Sequence, residues 1–243
     1  MNQSLIIIPT YNEIDNVTIM IETLLSLSTE SHILIVDDSS PDGTAHEVIK
    51  MIHVSEERVF LLERQEKRGL GTAYIDGFRW GLNRSYKYFF QMDCDFSHNP
   101  HDLIRLYNML IDCNLDLCVG SRYVSGINVV NWPMSRVLLS YLASFYVRII
   151  TGMPIKDPTA GYKLYRREVL EDLTLDSVEF VGYAFQIEMK FRTWKKGFKI
   201  MELPIIFKDR VRGVSKLNSS IIKEAIFGVL KMQFKSIITN DYK

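Results

Sequence analysis

The sequence predicts an α/β fold: a Rossmann-like, mainly parallel sheet flanked by helices. Three observations carry this. Short β-rich apolar runs alternate with amphipathic helical runs through the first half of the chain, the pattern of a parallel sheet with helices on its faces. Polar clusters follow the runs at their carboxyl ends, where such sheets bind ligands. The 243 residues are 47% hydrophobic and 24% charged, an ordinary globular mix sized for one large domain.

Leu5–Ile8, Ile33–Val36, Val59–Leu62, Tyr88–Met92 and Leu115–Val119 read as strands, each bounded by polar or turn residues. Between them lie helical patterns over Ile14–Leu27, Thr44–His53, Thr72–Asn83 and Asp102–Cys113. The second half is less regular. Trp132-Pro133 precedes a helix over Arg136–Ile150, and Asp157-Pro158-Thr159-Ala160-Gly161 is a turn before Tyr162–Tyr165. A helix near Ala184–Lys196, a strand near Lys199–Phe207 and a last helix over Ser220–Phe234 complete the chain. No repeat, low-complexity tract or Gly/Ser/Pro linker divides it, so one continuous domain over 1–243 is the economical reading.

Lys plus Arg and Asp plus Glu are both 29, so no cationic surplus marks a general nucleic-acid binder. Cys94, Cys113 and Cys118 cannot pair completely and match no zinc spacing, which excludes a disulfide scaffold. The start, Met1 to Ser4, lacks the basic residues and long apolar core of a signal peptide, and the Asn-x-Ser/Thr triplets at Asn2, Asn16, Asn83 and Asn218 are read as chance matches. The most apolar segment, Val137–Val147, lies between Arg136 and Arg148 and is far shorter than the roughly 20 residues of a spanning helix. Two readings stand for it: a buried helix, or an interfacial helix carrying Tyr141, Phe145 and Tyr146.

Asp93-Cys94-Asp95 follows the fourth strand. Two carboxylates one residue apart at a strand end suit Mg²⁺ or Mn²⁺ carrying a diphosphate, since a hard cation takes carboxylate oxygens and keeps places for phosphate. Asp38, Ser40, Asp42 and Gly43 fit the start of a calcium loop, but Ile49 stands where a bidentate Glu is needed. Asp38 is instead read as accepting a base N–H, with Asp42 shaping the turn before the helix at Thr44. Gly69-Leu70-Gly71-Thr72-Ala73-Tyr74 departs from a dinucleotide fingerprint at Tyr74 and follows the third strand, so its glycines are read as letting the chain turn tightly into a helix. Arg122 follows the fifth strand and should face the mouth that holds Asp93 and Asp95, while Arg136 and Ser140 share a helix face. Arg210, Arg212 and Lys216 sit in a Gly-containing loop, and such cations suit phosphate. The five histidines show neither metal spacing nor a Ser-His-Asp arrangement.

Taken in order, these stretches resemble a family 2 glycosyltransferase of the GT-A fold, and within it the dolichyl- or polyprenyl-phosphate mannosyltransferases. The likeness runs from Ile8-Pro9-Thr10-Tyr11-Asn12-Glu13 and Val36-Asp37-Asp38 through Met92–His98, Gly120-Ser121-Arg122-Tyr123, Asn131–Arg136 and Gly161–Arg167 to Phe185–Glu188 and Asp209–Leu217, about residues 4–235. It implies a nucleotide-sugar half over about 4–130 and an acceptor half over about 131–235 with an interfacial helix. Pro9, Tyr11, Glu13, Val36 and Asp38 would hold the nucleoside. Asp93, the Cys94 backbone and Asp95 would hold a divalent metal, Mg²⁺ or Mn²⁺, and the nucleotide phosphates. Arg210 and Lys216 would close over the diphosphate, and Arg122, Arg136 and Ser140 would meet a lipid phosphate, leaving Asp95, Arg122 and Arg136 as the catalytic set. The implied reaction moves mannose from GDP-mannose to a polyprenyl phosphate with inversion, releasing GDP.

An acceptor phosphate is anionic near neutral pH, so it needs positioning more than a base. With the resemblance, the Val137–Val147 helix is read as an interfacial platform for the acceptor lipid. Ser97 replaces a Gln found in some members, Tyr141 follows Ser140 where many have a second Arg, and Cys94 replaces a common Ala. Because no spanning helix follows Lys216, the expected location is the cytoplasm, peripheral at the cytoplasmic face of a membrane, with a separate membrane partner as an option. Two other readings stand beside this one. The first is a same-fold transferase using UDP-glucose or a sugar acceptor, with Asp157 or Glu188 as base; the second is a non-catalytic nucleotide-sugar binder, against which the intact Asp93 and Asp95 speak.

Overall fold

The computed structural model describes every residue except Ser28, Thr29, 210–218, 240, 241 and 243, and only the backbone of Tyr183 and 219–225. The first half alternates as expected: β1 (Ser4–Thr10), α1 (Val17–Leu27), β2 (His32–Asp37), α2 (Thr44–Val54), β3 (Val59–Glu63), α3 (Leu70–Leu82), β4 (Tyr88–Gln91), α4 (Asp102–Asp112) and β5 (Leu117–Ser121). Then come β6 (Val129–Val130), α5 (Met134–Thr151), β7 (Lys163–Arg166), α6 (Arg167–Asp172), α7 (Tyr183–Lys195), β8 (Ile200–Pro204), β9 (Phe207–Lys208) and α8 (Ser219–Ile238).

The main sheet has the order β3-β2-β1-β4-β7-β5-β8. Strands β1 to β4 run parallel, β7 is inserted antiparallel between β4 and β5, and β8 runs parallel to β5. A run such as Leu5-Ile6-Ile7-Ile8 is apolar throughout because both faces of the sheet are covered. Ile6, Ile8, Ile33, Ile35 and Phe90 pack with α1, α2 and α4 on one face. Their neighbours Leu5, Ile7, Leu34, Val36 and Phe89 pack with α3, α6 and α7 on the other, as the two-residue period of a strand requires.

The expected strand over Lys199–Phe207 is two strands. Beyond Pro204 the chain leaves the main sheet, and Phe207 and Lys208 pair instead with Val129 and Val130. The short β6 and α6 carry too few residues for a periodic signal. The glycines before α3 have separate tasks. Gly69 takes φ +101°, and a Cβ on Gly71 would come 2.8 Å from Phe185 Cγ and 2.9 Å from the Phe180 carbonyl, so the close approach of α3 to Phe180 and Phe185 needs a glycine there.

Two lysines are buried where β7 meets α7. Lys163 Nζ donates to Gln186 Oε1 at 2.5 Å, and Lys190 Nζ donates to the carbonyls of Ala160 and Gln186 at 2.6 and 2.9 Å. Burial pulls both ammonium groups down, Lys190 to about 7. The unfolded chain keeps its lysine protons up to a pH of about 10.4. Unfolding therefore takes up protons between these limits, and stability should rise with pH from about 7. Urea midpoints should show that rise, and Lys190→Met should flatten it; an unchanged slope in the variant would contradict the assignment.

Candidate active site

The centre of the site is the loop after β4. Tyr74 Oη, on α3, lies 3.1 Å from the Met92 carbonyl oxygen and 3.3 Å from Asp93 Oδ1. Asp95 Oδ1 accepts the Ser97 N–H at 3.1 Å, and Phe96 between them takes φ 57°. His98 Nδ1 accepts the Asp93 N–H at 3.4 Å, a role that needs its proton on Nε2. The imidazole stacks on Tyr162 at 4.8 Å and meets the edge of Phe207 at 5.3 Å. Burial lowers its pKa against the pull of Asp93 and Asp95. Asp95 is 8% exposed and Cys94 3%, so Cys94 can offer the site its backbone but not its thiol. Among the described residues no three His, Cys, Asp or Glu side chains converge as a complete metal cage. Asp93 and Asp95 still supply two hard oxygen donors, which fits an ion that completes its shell with phosphate and water.

The ends of β1 and β2 lie beside this loop. Tyr11 lies beneath the Lys67 ammonium, 3.8 Å from its ring centroid. Pro9 is half-buried, and Glu13 Oε2 accepts Asn16 Nδ2–H at 2.8 Å. Asp37 is structural: it accepts the Thr10 and Ser40 hydroxyls, both at 2.7 Å, and the Ser40 N–H at 2.8 Å. Asp42 shapes the turn as expected, accepting the Thr44 N–H at 3.0 Å and the Ile14 N–H at 3.2 Å. Asp38 is paired with Arg64 at 2.6 Å, and burial pushes its carboxyl up despite that partner. Arg64 also donates to Thr72 at 2.6 Å and lies 3.2 Å from Asp76, and a cavity of about 330 Å³ opens beside it. The Val36 side chain is fully buried in the core beneath α3, so what Val36 can offer a nucleoside is its backbone near the carboxyl end of β2.

At the end of β5, Arg122 is 9% exposed and Asp157 fully buried. Arg122 Nε and Nη2 grip the two Asp157 oxygens at 2.7 Å each, and Nη2 also donates to Thr159 Oγ1 at 2.7 Å. Burial alone would raise the Asp157 carboxyl, but the Arg122 charge and hydrogen bonds, with Lys190, hold it below the usual range. The Tyr123 hydroxyl donates to Ser140 Oγ at 2.8 Å. Arg136 pairs with Asp209 at 2.9 Å and lies over Trp132 at 4.0 Å. Arg210 and Lys216 lie outside the described residues.

Asp93, Asp95, Arg122 and Asp157 all act electrostatically on the buried His98, and the Asp157 turn sets Gly161 facing Asp93 Oδ2. Glu188 is fully buried and paired with Arg192 at 2.8 Å. Both carboxylates considered as sugar-acceptor bases are therefore held by arginines. Sequence reasoning missed Tyr74, His98, Arg64, Lys67 and Tyr123. Tyr74 had a signal, being the residue that breaks the dinucleotide fingerprint, and Arg64 directly follows a strand end. Replacing Asp157 by Ala would leave Arg122 buried without its partner, so chemical denaturation should show a loss of about 3–5 kcal/mol; a loss below about 1 kcal/mol, the scale of an exposed pair, would contradict a structural fork.

Comparisons with known proteins show the family and the fold. Residues 5–174 match glycosyl transferase family 2. A polyprenol monophosphomannose synthase of Mycolicibacterium smegmatis is 45% identical over 227 residues, 93% of this chain and 85% of that one. An undecaprenyl-phosphate mannosyltransferase of Micrococcus luteus is 44% identical over the same length, covering 93% and 92%. In structure, glucosyl-3-phosphoglycerate synthase from Mycobacterium tuberculosis, solved with Mn²⁺ and UDP, superposes with TM-score 0.66 at 18% identity, over 96% of this chain and 78% of that one. A Pyrobaculum calidifontis mannosyltransferase solved with GDP-Man and Mn²⁺ gives TM-score 0.59 at 17% identity, over 97% and 64%. The fold is the GT-A fold of these transferases, and the chain belongs to glycosyltransferase family 2.

Proposed function

We propose that the protein transfers mannose from GDP-mannose to a polyprenyl phosphate, giving polyprenyl-phosphate mannose and GDP with inversion. The observation that carries this is a juxtaposition. The first turns of α5 bring Arg136 and Ser140 toward the acceptor side, while the same helix exposes Leu138, Leu142, Phe145 and Ile149, each more than half exposed. A cationic end on an apolar helix suits an acceptor with a phosphate head and a hydrocarbon tail. The two relatives whose names describe mannosyl transfer to such lipids support the same acceptor and sugar.

In this reading Tyr11, Glu13 and Asp38, with the Pro9 backbone, hold the nucleoside, and Arg210 and Lys216 close over the diphosphate. Asp93 and Asp95 would hold Mg²⁺ or Mn²⁺, which neutralises charge on the departing diphosphate when bound. Arg136 and Ser140 orient the acceptor, and the Arg122–Asp157 unit fixes the wall behind it. An acceptor phosphate oxygen forms the new bond to the anomeric carbon as the bond to the GDP oxygen breaks, and the electron pair leaves with GDP. No proton need be removed from an already ionised acceptor, which agrees with Asp157 and Glu188 being bound to arginines.

Residues of about 4–130 then serve the donor and about 131–235 the acceptor. Among the described residues no helix is long and apolar enough to cross a membrane. The exposed face of α5 continues onto α8 through Phe227, Phe234 and Ile237, with Tyr146 Oη donating to the Ile226 carbonyl at 3.0 Å. That shared face supports peripheral docking at the cytoplasmic side of a membrane, alone or with a membrane partner.

Labelled-sugar transfer to a short polyprenyl phosphate should proceed from GDP-mannose, require Mg²⁺ or Mn²⁺, and fail with UDP-glucose. Transfer from UDP-glucose alone would overturn the donor. Asp95→Ala should lower kcat by at least about a hundredfold, the scale of losing a charge-stabilising group; near-native turnover would refute its role. Arg136→Ala should raise KM for the lipid phosphate while GDP affinity stays unchanged, and an equal loss of GDP affinity would break this division of labour.

A further inference from the structure

Beyond the mouth, a cavity of about 300 Å³ lies on the flank of α5, lined by Tyr123, Gly126, Ile127, Tyr141, Arg148 and Lys156. Its cations are unusually placed. Arg148 Nε is buried without a hydrogen-bond partner, and among the described residues no carboxylate pairs with that guanidinium. Lys156 Nζ donates to the Val124 carbonyl at 3.0 Å, which leaves two of its three donors. Glu202, beside Lys156, spends its two oxygens on the backbone N–H groups of Lys156 and Asp157 at 2.7 and 2.8 Å. Arg148 is half-buried and Lys156 exposed; a guanidinium with a buried, unbonded Nε beside an accessible ammonium, with no acid between them, is an arrangement that favours an anion.

We infer that this cavity binds the phosphate ester headgroup of an anionic membrane lipid. Arg148 would grip the phosphate as a fork and Lys156 as a point charge, with the tyrosines at the level of the headgroups. The chains of that lipid would run along the adjacent apolar stripe, where Leu142 is 59%, Phe145 51% and Ile149 63% exposed. The cavity is separate from the acceptor set. Arg136 and Arg148 lie at opposite ends of α5, twelve residues or about 18 Å apart along the helix axis. Tyr123 forms the wall between the two, since its hydroxyl is bound to Ser140. A lipid held here would anchor α5 at a fixed depth and keep the mouth at the membrane surface. The inference rests on reading α5 as membrane-facing, but not on the identity of donor or acceptor.

The test is flotation of the full chain with phosphatidylcholine vesicles, with and without phosphatidylglycerol. The wild type should bind the anionic vesicles, and Arg148→Gln/Lys156→Gln should lose at least about tenfold in partition, given roughly 1 kcal/mol per basic residue at such a surface. Lys87→Gln/Lys199→Gln removes the same charge at the opposite ends of the strands and should bind like the wild type. Equal losses in both pairs would reduce the effect to diffuse charge and overturn the site, as would no loss in the first pair. Soluble glycerol phosphate, titrated calorimetrically, should bind the wild type far more weakly than the vesicle does; equal affinity would assign the cavity to a soluble phosphate ester and overturn the lipid. Transfer to a short acceptor dispersed in detergent should be unchanged in Arg148→Gln/Lys156→Gln, which shows an intact fold. Failure of the wild type to float with any vesicle would overturn the membrane-facing reading itself, whereas failure of mannosyl transfer with vesicle binding intact would overturn only the proposed reaction.

Discussion

Two carboxylates placed one residue apart repel each other, and much of the site exists to hold them together at the end of β4. Like charges this near in the chain repel unless hydrogen-bond donors or a cation offset them. The chain meets this with donors from several elements: the Tyr74 hydroxyl from α3 toward Asp93, the Ser97 N–H toward Asp95, and His98, which fixes the Asp93 backbone from below. Lys163, buried on the neighbouring strand β7, feels the same field, since Asp93 acts to raise the pKa that burial lowers. The site is therefore arranged around a negative pair that a cation and a diphosphate can complete.

The antiparallel strand β7 makes this possible. Its insertion between β4 and β5 brings the 157–161 turn against the β4 loop and sets Asp157 opposite Arg122. The fork between them is buried, so its worth is in geometry more than in stability. It orders the strand-end arginine that the sequence offered as a phosphate ligand, and it takes Asp157 out of contention as a base. A pocket in which Asp157 and Glu188 are both held by arginines suits an acceptor that arrives already charged, and a lipid phosphate is such an acceptor.

The alternation of β-rich and amphipathic runs made β1 to β5 and α1 to α4 legible, because both faces of a parallel sheet are apolar and its helices are periodic. Family membership was legible in the order of short motifs, none decisive alone. What was not legible lies in long-range pairing. Nothing in Tyr162–Tyr165 announces a strand that runs against its neighbours, whereas Pro204 was a visible break in Lys199–Phe207 whose consequence, a second strand paired with Val129 and Val130, was not. Within the site, the carboxylates were readable as a strand-end pair, whereas Tyr74, Arg64 and Lys67 act through space from residues distant in sequence. Val36 shows a further limit: a motif position can serve the core with its side chain, and the sequence does not say which of its atoms faces the mouth.

The most direct test of the central claim is the affinity of GDP measured by calorimetry with and without Mn²⁺, on the wild type and on Asp93→Asn and Asp95→Asn. If the two carboxylates are held apart in energy and together in space for a cation and a diphosphate, Mn²⁺ should tighten GDP binding by at least about tenfold, or about 1.4 kcal/mol, and each Asn variant should lose that gain while keeping its fold. Equal GDP affinity in the presence and absence of the ion, with unchanged affinity in both variants, would contradict it.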